Sequence, residues 1–165
     1  MRQAAVKEKQ MVYILIILAS VVIDQALKML VISFIGMLGT KSVIPGFLYI
    51  TCIANDGAAM GILSGKQTLV IAFTAVFMIA IAAVMIRFRK KFHPFLMTAL
   101  SLTVGGGIGN IIDRIRFNYV IDFIDFRIWP YIFNFADICV VLGCFMIVVY
   151  LLFEKKFKKE TGTDE

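Results

Sequence analysis

Histidine occurs once in this chain, as His93, and glutamate is absent between Glu8 and Glu154. His93 sits in a basic turn far from the acidic end of the sequence, which rules out a Ser-His-Asp triad and a His-based metal site. Cysteine is also scarce: Cys52, Cys139 and Cys144 make an odd number, and the last two lie five residues apart, about 140° around a helix. They read as packing residues, with no disulfide framework and no metal set. Charge is missing from most of the chain. Hydrophobic residues make up 61% of it and the mean hydropathy is +0.91, whereas soluble domains have about 45–50% apolar residues. A soluble core is therefore excluded, and the chain reads as an integral membrane protein. Its 165 residues allow about four spanning helices, each needing ~20 residues to cross a ~30 Å hydrocarbon layer.

The apolar runs place those spans at about 11–33, 68–86, 94–112 and 134–153. The basic start followed by Met11–Ile23 imitates a cleavable leader, but apolar character continues to Ile35 without a small-x-small cleavage site, so it reads as a first span. Segment 36–66 is less hydrophobic, and its β-rich run Val43–Ile53, bounded by turn residues, reads as short strands or a cap on the membrane surface. Pro94 opens the third span, where a missing N–H costs nothing. The other outer segment, 114–133, is rich in aromatics, as expected of chain lying at the lipid–water interface. The expected fold is one all-α membrane domain, residues 1–165, with four transmembrane helices and a small extracytoplasmic β-rich platform.

Charge then sets the topology. The N-terminus, the turn at 87–91 and the C-terminal tail hold eleven of the seventeen Lys and Arg, which puts both termini and that turn on the cytoplasmic side. The basic residues form three small clusters beside apolar runs and no continuous patch, so the net charge of +6 does not point to nucleic acid. Six of the seven aspartates, at 24, 56, 113, 122, 125 and 137, fall on the outer side or at its membrane edge. At ~1.5 Å per residue, Asp24, Asp113 and Asp137 reach similar depth in the outer third of the bilayer from three different helices.

A carboxylate within a span costs about 2.5–3.5 kcal/mol at mid-helix and less near the interface, so three at one level point to a shared polar pocket. Carboxylates brought together cannot all ionise; one proton shared by two of them is the working state of an aspartic protease. Structural roles compete with that reading. Asn134 and Asp137 suit an N-cap and first turn, Asp24 and Lys28 form an i,i+4 pair, and Asp56 and Asp125 read as solvated loop residues. Gly105 and Gly109 have the G-x-x-x-G spacing of close helix contact. A Ser-Lys dyad drawn from Ser33, Ser42 or Ser64 with Lys28, Lys41 or Lys66 stays open, as do a proton-coupled carrier and an assembly subunit.

Six stretches in order, IDQALK (23–28), VIPGFLYIT (43–51), NDGAAMGIL (55–63), GNIIDR (109–114), VIDFID (120–125) and FNFAD (133–137), carry a resemblance that covers nearly the whole chain. The sequence resembles the bacterial lipoprotein signal peptidases, or signal peptidase II, four-span aspartic proteases of the cytoplasmic membrane. The resemblance implies an endopeptidase that removes the signal peptide from diacylglyceryl-modified prolipoproteins, cutting just before the lipidated cysteine. It implies a monomer in membrane lipid with its site at the extracytoplasmic face and no metal or organic cofactor. By motif the catalytic pair falls on Asp122 and Asp137, with Asp24, Lys28, Asn55, Gly57, Asn110, Asp113, Arg114, Asn134 and Ala136 building or lining the site. The residues alone do not separate Asp122 from Asp113; that choice rests on the resemblance. The chain departs from the family's usual pattern at Ala54, Met60 and Ile138.

Overall fold

The computed structural model describes residues 2–57 and 66–161. Met60 and most of the NDGAAMGIL stretch, like Ser64, lie outside the described residues. The elements run α1 (Arg2–Ile35), β1 (Thr40–Ile44), β2 (Leu48–Asn55), α2 (Gln67–Phe88), α3 (Pro94–Phe117), β3 (Val120–Phe126), β4 (Ile132–Phe133), α4 (Phe135–Leu152) and α5 (Glu154–Thr161). Among the described residues four helical stretches are long and apolar enough to cross a membrane: Gln10–Ile35, Gln67–Phe88, Pro94–Phe117 and Phe135–Leu152.

The strands form one antiparallel sheet in the order β1-β2-β3-β4. β1 and β2 are joined by a turn at Pro45-Gly46, where proline supplies its fixed φ and Gly46 takes φ 75°, closed by Phe47 N–H donating to the Ile44 carbonyl at 3.0 Å. The sheet draws on both outer segments, a point the sequence reading missed. Val120–Phe126 is a run of β-branched and aromatic residues interrupted by two aspartates, and it pairs with β2 from Leu48↔Phe126 to Asn55↔Val120. The aromatics beyond it, Trp129 and Tyr131, stay exposed. α3 runs past its expected end to Phe117 and stops at Asn118, which takes φ 62° and donates its N–H to the Arg114 carbonyl.

α3 is the central helix, with fourteen buried residues against three in α2. Three consecutive glycines make this possible, because successive positions on a helix point about 100° apart. A Cβ on Gly105 would strike Ser20 of α1, one on Gly106 would strike the Ala136 carbonyl of α4, and one on Gly107 would strike the Met78 side chain of α2. Gly109 closes on Asp24, so the Gly105/Gly109 pair is the α1 contact face. Toward the 89–93 turn the interior is hydrocarbon, built on Met78, Met85, Leu96, Met97, Leu100, Val104 and Tyr150. Toward the sheet it is polar.

These approaches differ in rigidity. Gly106→Ala meets backbone and is expected to destabilise the protein by about 1–3 kcal/mol, whereas Gly107→Ala meets the flexible end of a methionine and should lose less than about 1 kcal/mol. Thermal unfolding in detergent micelles compares them; equal losses would show that the α3–α4 approach is not the tighter one.

Candidate active site

The polar end of the bundle is assembled from five elements. α1 contributes Asp24, Gln25 and Lys28; α3 contributes Asn110, Asp113 and Arg114; β2 ends in Asn55, shortly before Gly57; β3 carries Asp122; and α4 begins with Asn134, Ala136 and Asp137. The helical spacing of Asp24 and Lys28 puts both on one face, and Lys28 Nζ lies 2.8 Å from Asp24 Oδ2. The same ammonium lies 2.7 Å from Asp113 Oδ2 and donates to Asn110 Oδ1 at 3.1 Å. Lys28 is 1% exposed and both aspartates 0%. Its three N–H groups are therefore all committed, and none goes to a serine. Ser33 instead donates to the Met29 carbonyl on an exposed face of α1.

The two carboxylates around Lys28 also hold main chain. Asp24 Oδ1 accepts from Ala136 N–H at 2.9 Å, fixing the start of α4. Asp113 Oδ2 accepts from Ile121 N–H at 3.1 Å, fixing the start of β3. Gln25 Nε2 donates to Asp113 Oδ1 at 2.8 Å and to the Gly109 carbonyl at 3.3 Å. Gln25 was missed by the sequence reading, its only signal being its place beside Asp24 in IDQALK.

Asp122 and Asp137 sit next to this ion cluster. Asn134 caps α4 in a capping box: its side-chain oxygen accepts from Asp137 N–H at 2.9 Å, and its own N–H donates to Asp137 Oδ2 at 3.2 Å. Because that oxygen is taken by an N–H, the amide nitrogen must face the other way, and it donates to Asp122 Oδ1 at 2.6 Å. Asn110 is oriented by the same reasoning. Lys28 can only donate, so Asn110 turns Oδ1 toward it and Nδ2 toward Asp137 Oδ1, at 2.8 Å. Asn55 Nδ2 donates to the remaining oxygen of Asp122, Oδ2, at 2.7 Å. Each of the two carboxylates thus accepts one hydrogen bond on each oxygen.

Burial, chiefly, and then the nearby charge of Asp137 push the Asp122 carboxyl up to about 7; the hydrogen bonds from Asn55 and Asn134 and the positive charge of Lys28 act in the opposite sense. This carboxyl can therefore hold a proton far closer to neutrality than an ordinary aspartate.

Arg114, 8% exposed, donates to the carbonyls of Asn110 and Gly57, each at 3.3 Å. Its buried Nε has no hydrogen-bond partner among the described residues. Gly57 is fixed in turn by its N–H, which donates to Asn55 Oδ1 at 3.0 Å. All eleven residues singled out in the sequence fall in this one network. Asp125 departs from its reading as a solvated loop residue: it is 6% exposed and lies in β3, where strand alternation turns it to the face opposite Asp122. There it accepts from Thr51 Oγ1 at 2.7 Å and pairs with Arg127 at 3.3 Å.

Fold and site together define a multi-pass membrane protein whose buried polar groups converge on two adjacent carboxylates. The family model for Signal peptidase (SPase) II matches residues 16–153. The lipoprotein signal peptidase of Halothermothrix orenii is 39% identical over 147 residues, 88% of this chain and 98% of that protein. That of Staphylococcus aureus strain JH9 is 39% identical over 150 residues, covering 89% and 91%. A solved bacterial membrane enzyme superposes with a TM-score of 0.77 at 36% identity, covering 93% of this chain and 92% of its own. The chain belongs to the signal peptidase II family, a family of membrane peptidases.

The Lys28 cluster invites a direct test. Lys28→Met leaves two buried carboxylates without their cation and is expected to cost about 3–5 kcal/mol of stability. Thermal unfolding in micelles measures it, and a loss below about 1 kcal/mol would show that the ammonium does not hold the cluster together.

Proposed function

We propose that this protein is an aspartic endopeptidase of the bacterial cytoplasmic membrane that removes the signal peptide from diacylglyceryl-modified prolipoproteins, cutting just before the lipidated cysteine. The carrying observation is that Asn134 ties both carboxylates together, donating from its side chain to Asp122 and from its backbone to Asp137. Membership of the signal peptidase II family and relatives named lipoprotein signal peptidase support the substrate class. The segregation of Lys and Arg away from the sheet end supports a site at the extracytoplasmic face.

In this mechanism Asp122 is the protonated member and Asp137 the ionised one. A water lodged between them loses a proton to Asp137 as its oxygen adds to the scissile carbonyl carbon, while Asp122 gives its proton to the carbonyl oxygen. Collapse of the tetrahedral diol breaks the C–N bond as one of its hydroxyls returns a proton to Asp122, and the proton on Asp137 passes to the departing cysteine nitrogen. Lys28 holds Asn110 with its amide N–H turned toward Asp137. Arg114 keeps positive charge beside the two carboxylates without neutralising either through a direct ion pair. The substrate, an apolar segment with acyl chains, would enter laterally from the bilayer.

Asp122→Asn and Asp137→Asn, assayed separately on a diacylated prolipoprotein in membranes, should each lower turnover by about 10²–10⁴-fold or more. Near-normal turnover in either correctly inserted variant would remove the pair from the chemistry. The pH profile gives a second check. Because the working Asp122 is protonated, kcat/KM should fall as pH rises through about 7. Asn55→Ala removes a hydrogen bond that favours the ionised form, so it should move that descending limb to higher pH. A limb that stays in place or moves down would reverse the assignment of Asp122 as the acid.

A further inference from the structure

A groove of about 420 Å³ opens beside Asp137 and is lined by Phe126, Phe133, Ile138, Val141, Leu142 and Phe145. Asp137 is its one polar wall; the others are hydrocarbon or aromatic. Ile138, Val141, Leu142 and Phe145 follow the i, i+3, i+4, i+7 spacing of a single stripe on α4. The upper end belongs to the sheet. Phe126 lies two alternations along β3 from Asp122 and so shares its face, and Phe133 shares that face by pairing with Ile124. One wall of the groove is thus on the strand that carries one carboxylate, and the other is on the helix that carries the second.

We propose that this groove holds an acyl chain of the substrate's diacylglyceryl group and so fixes which side of the carboxylate pair receives the lipidated cysteine. The proposal rests on the peptidase reading above. In that reaction the acyl chains hang from the residue immediately after the scissile bond, so they begin within a few bonds of Asp137. A volume of about 420 Å³ suits a chain and is too small for a helix over the same length. From Asp137 to Phe145 α4 rises about 12 Å, close to the ~15 Å of one leaflet's hydrocarbon. The groove also runs along the helix, the direction in which acyl chains lie. A signal-peptide helix is about 10–12 Å wide with its side chains and must continue through the whole ~30 Å core. Beyond Phe145 the α4 residues Val148, Leu151 and Leu152 are exposed and lie outside the groove. This assignment sets the acyl chain on the β3–β4–α4 side of the site.

The test uses the full-length protein in micelles and two synthetic lipobox peptides that differ only in carrying dipalmitoyl or dioctanoyl glyceryl groups. Val141→Trp and Phe145→Trp fill the groove at exposed positions about one and two helical turns below Asp137. Each should raise KM for the dipalmitoyl peptide by about tenfold, the scale of an overpacking penalty, while kcat stays within about twofold. The dioctanoyl peptide, whose chains end high in the groove, should show less than about a threefold change. Equal KM shifts for both peptides, or no shift for either, would overturn the acyl-chain assignment. So would shifts that follow the length of the peptide's apolar segment and ignore acyl length, since the groove would then belong to the signal sequence. A wild-type protein that cleaves neither peptide would instead sink the peptidase reading, an outcome distinct from cleavage without chain-length dependence.

Discussion

A lysine ammonium buried between two carboxylates is costly to desolvate, and it persists only where every donor and lone pair finds a partner. Lys28 meets that condition through Asp24, Asp113 and Asn110. The consequences spread outward through the other lone pairs of the aspartates. One carboxylate fixes the first turn of α4, the other the first residues of β3. Asp137 and Asp122 are carried by those two elements, so an ion pair network centred on Lys28, whose ammonium contacts neither of them, sets where both stand.

The same cluster also decides how the asparagines face. A terminal amide can be turned over with little change in shape, and in an apolar surrounding nothing would choose between the two orientations. Here a donor-only lysine chooses for Asn110 and a backbone N–H chooses for Asn134. Both then present N–H groups to the carboxylates. The acidic pair is held in a cradle of donors, so burial raises Asp122 only to about 7 and leaves it able to exchange a proton near neutrality.

Much of this was legible before any coordinates. Long uncharged runs define the helices because lipid leaves few alternatives, and the Asp24–Lys28 and Asn134–Asp137 spacings are local rules that held. What was hidden depended on contacts between distant parts of the chain. Residues 110 and 28 are separated by 82 positions, and 136 and 24 by 112. Asp125 was misjudged, and Asp122 could not be told from Asp113 by its residues alone, for one reason: VIDFIDF was read as an interfacial aromatic stretch. Once it is a strand, the period of two sends Asp122 to one face and Asp125 to the other. Gln25 carried no signal of its own, since an amide beside an aspartate is common and its partners lie on another helix.

The glycine triplet of α3 has a further effect, on what can pass through the molecule. Gly106 lies seven residues before Asp113, about 10 Å deeper along the helix. At that level α1, α2 and α4 all close against a stretch of α3 that has no side chains to hold them off. Below it comes the methionine and leucine packing around Met97 and Leu100. The polar cluster at the sheet end is therefore closed off from the other end of the bundle by main chain and hydrocarbon. Proton exchange at the polar end of the bundle need not open a path for protons to the other end.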